Sequence, residues 1–274
     1  MIPKLPIGDL VADLVDWIEF NLGWLLDIIT AGFKTVLNGF ADILMIIPPL
    51  IFIPILAILV YLVSHRNLRL ALLSIAGLLL IWNLQLWDLS MMTLALVIAS
   101  TFIALLIGVP LGILASGNDT FDAVIRVLLD FMQTMPPFVY LIPAVIFFSL
   151  GNVPGMIATV IFAMPPAIRL TNLGIRQIPT ELIEVADAFG ATPRQKLLKV
   201  QLPGALPTIM TGVNQCIMLA LSMAVIASMI GAAGLGYQVL VGIQRVNIAM
   251  GFEAGLAIVI LAIILDRVTQ SVVR

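Results

Sequence analysis

The chain has 274 residues, of which 62% are hydrophobic and 10% charged, where a soluble domain carries about 45–50% and about 25%. With a mean hydropathy of +1.18, a water-soluble globule would expose large apolar patches. Soluble enzymes, DNA-binding modules, collagens and disordered tails are excluded, and a multi-spanning membrane protein remains. The net charge of −2 leaves no nucleic-acid footprint. The single Cys216 excludes an intrachain disulfide and the single His65, in a short basic loop, a multi-histidine metal site. Apolar runs are long and unbroken rather than alternating, which argues against a β-barrel.

Acidic residues stand where a signal peptide needs its apolar core, so nothing at the N-terminus suggests cleavage. Residues 10–33 read as an amphipathic helix in the membrane interface: Asp9, Asp13 and Asp16 mark one face, Leu14, Ile18 and Leu22 another. A weakly hydrophobic first span is the alternative. A spanning helix needs about 20 mostly apolar residues. On that measure Leu44–Val63 is the first span and Leu70–Trp87 the second, with Trp82 and Trp87 as interfacial anchors. Leu89–Asn118 holds the third. Phe131–Ile168 is uncharged, too long for one helix and right for two, with a turn at Gly151–Gly155. Spans four and five thus form a tight hairpin. The sixth lies near Pro207–Ile230, ended by the glycines at 231–236, and the seventh near Met250–Thr269. Asp130, near a cytoplasmic end and one turn from Arg126, reads as its ion-pair partner, with a solvated carboxylate as the alternative.

With the 171–204 loop inside, ten Lys and Arg residues lie on the inner side (Arg66, Arg69, Arg126, Arg169, Arg176, Arg194, Lys196, Lys199, Arg267, Arg274) and three outside (Lys4, Lys34, Arg245). This bias predicts an external N-terminus and a cytoplasmic C-terminus.

The loop at 171–204 is the one long polar stretch between spans, and it reads as two short helices. Thr180 caps the first and Glu181 favours its positive end. Gly190 stops it in a left-handed conformation. Thr192, Pro193 and Gln195 start the second with a capping box, and Leu202-Pro203 stops it. An ordinary structured loop explains the spacing as well as a docking elbow does.

Here the residues carry a resemblance. Glu184-Val185-Ala186, then Gly190, then Val200-Gln201-Leu202-Pro203 is similar to the EAA motif of ABC-importer permeases, with Val185 and Val200 as conservative departures. Gln133–Pro143, Gly151–Gly155, Gln215–Met223 and Ala262–Gln270 resemble the glycine betaine/proline betaine permease family. The resemblance covers roughly residues 90–270 by motif and the rest by layout. It implies an all-α polytopic membrane protein: about seven transmembrane helices plus an N-terminal interfacial helix, in the ABC type I importer permease (MetI-like) fold. The layout divides into an interfacial segment at 1–43, two peripheral helices at 44–88 and a permease core at 89–274.

What the family implies is a transport subunit, not an enzyme, in a bacterial cell membrane. It would work as a homodimer with two cytoplasmic ABC ATPase subunits and a separate extracytoplasmic binding protein. This chain would hold no cofactor; ATP and Mg would be bound by the ATPase. Thr180, Glu181, Glu184, Ala186, Asp187, Gly190, Arg194, Leu202 and Pro203 would couple it to the ATPase. Met135, Pro136, Pro137, Met164 and Pro165 are candidates for a gate in the translocation path, since prolines free backbone groups inside spans; a kink for packing is the plainer reading. The solute would be glycine betaine or proline betaine, for osmoprotection, with choline, carnitine or an amino acid as alternatives and a passive channel or intramembrane enzyme more distant. No Trp or Tyr cluster forms a cage for a quaternary ammonium, which places tight binding on the separate protein.

Overall fold

The structure is a computed structural model that describes residues 7–64 and 66–271; His65 and the last three residues lie outside the described residues. Every regular element among those described is helical.

The first helix, α1, runs unbroken over Ile7–Ile46, about 60 Å at 1.5 Å per residue. The boundary expected at residue 43 therefore falls inside one helix. Nothing in 7–46 breaks it: the stretch from Ile7 to Ile46 contains no proline. Its last third packs inward through Leu37, Phe33, Val36, Phe40 and Leu44, while Leu14, Trp17, Phe20 and Trp24 are exposed. The expected first span, Leu44–Val63, is interrupted at Ile47-Pro48, and its apolar run becomes α2, Pro49–Val63. A short turn leads to α3, Leu68–Asn83, whose N-terminus is capped by the Asn67 side chain.

The centre of the bundle is α4 (Trp87–Gly117), α7 (Asn152–Arg176) and α10 (Leu202–Ala227). These helices approach closely because glycines stand at their contacts. A Cβ at Gly112 of α4 would lie 2.6 Å from Thr171 Cβ and 2.7 Å from the Ile168 carbonyl oxygen. A Cβ at Gly212 of α10 would lie 3.2 Å from the Pro166 carbonyl, and one at Gly174 of α7 3.2 Å from Ala205 Cβ. In a bilayer, where apolar burial drives little, such contacts supply the packing energy.

The expected fourth span is remodelled. An amphipathic helix α5 (Asp119–Thr134) turns through 98° at Met135-Pro136 into α6 (Pro137–Phe148). At about 18 Å, α6 is too short to cross a bilayer of about 30 Å alone. Pro136 lacks the N–H that would reach the Met132 carbonyl. The Tyr140 hydroxyl, buried, donates to that carbonyl instead. The hairpin with α7 does form. Its turn is Ser149–Gly151, with Gly151 at φ 131°, and Asn152–Gly155 already belong to α7.

After α7 come α8 (Thr180–Ala188) and α9 (Pro193–Lys196). The expected stop at Leu202-Pro203 is absent. A π-helical segment, Leu197–Gln201, joins α9 to α10, and the Leu202 amide donates to the Leu197 carbonyl. The wider turn absorbs the proline, which removes one hydrogen bond without ending the helix. A left-handed Gly231 (φ 88°) ends the helical run after Ile230, and α11 (Leu235–Gln244), a helix the sequence reading did not anticipate, leads to α12 (Ile248–Ser271). At this end of the bundle, away from α8, the Gly151 amide donates to the Ile230 carbonyl, Ala233 N–H to Asn152 Oδ1 and Leu235 N–H to Thr93 Oγ1.

Candidate functional site

Of the residues expected to couple, Thr180, Glu181, Glu184, Ala186, Asp187, Gly190 and Arg194 meet in one elbow, while Leu202 and Pro203 lie beyond it. Helix α8 starts at Thr180 with Pro179 in the cap position, so Thr180 is the first helical residue and its hydroxyl caps nothing. Pro179 satisfies the start differently: its carbonyl accepts from Leu182 N–H. Gly190 follows the helix at φ 72°. The Gly190 amide donates to the Asp187 carbonyl at 2.9 Å and the Ala191 amide to the Ala186 carbonyl at 3.0 Å, the two bonds of a Schellman motif. The second helix has its full capping box: Thr192 accepts from Gln195 N–H, and the Gln195 side chain accepts from Thr192 N–H. Lys196 Nζ lies 2.8 Å from Asp187 Oδ1 and ties α9 to α8.

None of the α8 residues is buried. Glu181 and Glu184 are exposed. Leu182, Val185 and Phe189 are exposed too, the last to 88%. Their i, i+3, i+7 spacing puts them on one side of the helix, with Ala186 between them. A short helix that leaves a leucine, a valine and a phenylalanine facing outward has a surface suited to a partner's apolar groove. Phe189 was missing from the sequence reading; the apolar spacing on a helix outside the spans was the available signal. Arg194 is exposed on α9, and Leu202 and Pro203 open α10 directly beyond the π segment.

The elbow's connection to the bundle passes through α7. Arg176, at its last turn, is 2.7 Å from Asp119 and donates to the Ala115 carbonyl and to Asn172. Asn172 donates to Asp122, which also holds Arg126 at 2.6 Å. Asp130 pairs with Arg169 on α7 at 2.6 Å rather than with Arg126. Arg126 is taken by the carboxylate at i−4. Asp122, Arg126, Asp130, Arg169, Asn172 and Arg176 line a cavity of about 360 Å³ between α5 and α7.

The proposed gate residues do not form one cluster. Met135, Pro136 and Pro137 make the 98° elbow between α5 and α6. Met164 and Pro165 lie within α7. Met164 is packed among α4 and α5 residues, and Pro165 is buried; a Cβ at Gly108 would lie 3.4 Å from Met164 Cγ. Among the described residues, no group of His, Cys, Asp and Glu is arranged to hold a metal.

Residues 108–274 match the model of the binding-protein-dependent transport system inner membrane component family. The chain belongs to this family. It is 51% identical over 272 residues to the glycine betaine/carnitine transport permease protein GbuB of Listeria monocytogenes, covering 98% of this chain and 96% of that protein. It is 46% identical over 270 residues to the glycine betaine/proline betaine transport system permease protein ProW of Escherichia coli, covering 98% of this chain and 76% of that one. The fold is similar to inward-facing structures of the MetNI methionine ABC transporter, with TM-score 0.59 and 26% identity over 66% of this chain and 93% of that one. As a member of this family, the chain is a multi-pass transport subunit of a bacterial inner membrane, not an enzyme.

Proposed function

We propose that this permease carries glycine betaine and proline betaine inward across the cell membrane, driven by ATP, in osmoprotection. The supporting observation is similarity along nearly its whole length to permeases of betaine transport systems. The working unit is a homodimer with two cytoplasmic ATPases, which hold ATP and Mg, and a separate extracytoplasmic binding protein. The Lys and Arg bias puts α8 and the C-terminus inside and the N-terminus outside. Residues 89–274 act as the transport core. The first half of α1, acidic on one side and rich in exposed Leu, Trp and Phe on the other, lies in the interface.

Motion enters through α8. Its exposed apolar face and Glu184 dock on the ATPase, and the Schellman turn at Gly190 with the Asp187–Lys196 pair makes α8 and α9 one rigid lever. Arg176 and Asn172 pass the displacement from α7 to α5 and so to the Met135-Pro136 elbow. That elbow, with Pro137, is the element best placed to open and close the path; Met164 and Pro165 serve packing around it.

The test is co-reconstitution of permease, ATPase and binding protein in liposomes. ATP-dependent uptake of labelled glycine betaine is expected, competed by proline betaine. Carnitine has a claim as a further solute, because one relative's name includes it. Uptake that neither betaine competes would overturn the assignment of solute.

A further inference from the structure

The faces that the bundle leaves exposed are not alike. On α12, the outward residues at the middle of the helix are Val259 and Ile263; on α4 they are Phe102, Leu106 and Ile107. These suit lipid. Helix α10 differs. Thr211, Gln215, Met218 and Ser222, with Met229 in the single 3-10 turn that continues the helix, are exposed and recur at intervals of three, four and seven, which aligns them on one side. From Thr211 to Met229 this stripe is about 27 Å long, close to the ~30 Å of a hydrocarbon core.

Thr211 and Ser222 donate to carbonyls of their own helix, Pro207 and Met218, so their hydroxyls alone would tolerate lipid. Gln215 does not have that escape. It is the fourteenth of 26 residues of α10, and its amide has no hydrogen-bond partner among the described residues. An unpaired amide in hydrocarbon costs about 4–8 kcal/mol, so lipid cannot be what covers it. A dry contact with a second helix fits poorly too. Where α10 meets α7 closely it does so through Gly212 and Ala205, whereas the stripe carries long Gln and Met side chains where close helix contact needs small ones.

We propose that the Thr211–Met229 stripe, along α10 and the 3-10 turn that continues it, lines the water-filled solute path, with Gln215 as its central polar contact. The inference rests on the reading of this chain as a solute permease. The stripe is polar yet uncharged, which suits a zwitterion: a fixed charge would hold one end of the solute, whereas conduction needs binding weak enough to release it. Gln215 offers an N–H to a carboxylate, and Met218 and Met229 present soft, adaptable thioethers to methylated ammonium.

The test uses the assembled transporter in vesicles. Cys216, the next residue, is buried and is replaced as Cys216→Ala. Single changes Gln215→Cys and Ser222→Cys are compared with Val259→Cys and Ile263→Cys on α12. The probe is a membrane-impermeant trimethylammonium methanethiosulfonate, applied with and without a non-hydrolysable ATP analogue and without any solute. Modification at 215 and 222 at least tenfold faster than at 259 and 263, with a rate that changes on nucleotide binding, is expected. Rates at 215 no faster than at 259 in both states would overturn the proposal, as would spontaneous disulfide formation between the two copies of residue 215 without labelling. Gln215→Leu is expected to lower uptake about tenfold, the scale of one lost hydrogen bond to a charged group, with Gln215→Asn retaining most of it and ATPase association unchanged. Because labelling is read without solute, its failure and the failure of the betaine assignment are separate results.

Discussion

The seam between α4 and α7 and the α8 elbow are at opposite extremes of packing. At the seam, backbones approach until a single added methyl would collide with a carbonyl; at the elbow, none of the α8 residues is buried. The seam holds its shape through contacts within the chain. The elbow holds its shape through local hydrogen bonds and leaves its side chains for something else. A change at the seam therefore acts on folding, and a change at the elbow on association.

The largest effect is expected at the seam. In Gly112→Leu the new Cβ falls 2.6 Å from Thr171 Cβ and 2.7 Å from a backbone oxygen, neither of which can give way like the end of a flexible side chain. Overpacking costs about 1–3 kcal/mol where neighbours shift and more where they cannot. Loss of monodisperse protein in size-exclusion chromatography is expected. Gly108→Ala, whose Cβ would meet Ala167 Cβ at 3.0 Å, should be milder. Equal, wild-type behaviour of both would mean the seam is looser than its geometry.

Phe189→Ser tests the other side of the comparison. With its side chain almost wholly exposed, thermal stability of the isolated permease should be unchanged. An aromatic anchor lost from an interface costs about 2 kcal/mol or more, so co-purification of the ATPase should fall at least tenfold. Glu184→Lys is expected to act in the same direction, by reversing a charge offered to the partner. Retention of the ATPase by both variants would reduce α8 to an ordinary loop.

Two intermediate effects sharpen the contrast. Tyr140→Phe leaves the Met132 carbonyl at the α5–α6 elbow without its donor, a loss of about 1–3 kcal/mol. It should appear as a lowered melting temperature with normal ATPase binding. Gly190→Val forces a β-branched residue into the left-handed region at a cost of about 1–2 kcal/mol. Here the melting temperature should hold and ATP-dependent uptake should drop, since the strained turn is outside the packed spans.

The same contrast explains what could be read from the chain. The elbow was legible because its signals are local: Gly190, Thr192 and Gln195 act on amides within five residues of themselves. Thr180 misled because Pro179 takes the cap position, and Pro203 because a π segment carries the helix through it. Long apolar runs revealed α4, α7, α10 and α12. They did not reveal the bend at Met135-Pro136, the continuity of α1 across residue 43 or the short α11, since each depends on what packs alongside. The Asp130–Arg169 pair bridges 39 positions, beyond any local pattern. The polar stripe of α10 was equally hidden, because the period of a helix says which residues share a face but not which face the neighbours leave open.

The smallest effect is expected where the elbow's rigidity rests on charge. Asp187 and Lys196 lie 2.8 Å apart with side chains partly exposed, and exposed pairs contribute about 0.2–1 kcal/mol. Asp187→Asn should thus leave stability within error. If α8 and α9 move as one lever, however, even a modest loosening lets ATPase motion be absorbed in the Gly190 turn instead of reaching α7. The coupling ratio, solute carried per ATP hydrolysed, should fall while ATPase association and basal hydrolysis stay normal. Raising the salt inside the vesicles screens the same pair and should reduce the difference between Asp187→Asn and the wild type. A coupling ratio unchanged in Asp187→Asn at low salt would show that the capping box and Schellman turn alone stiffen the elbow, and that the ion pair is incidental to it.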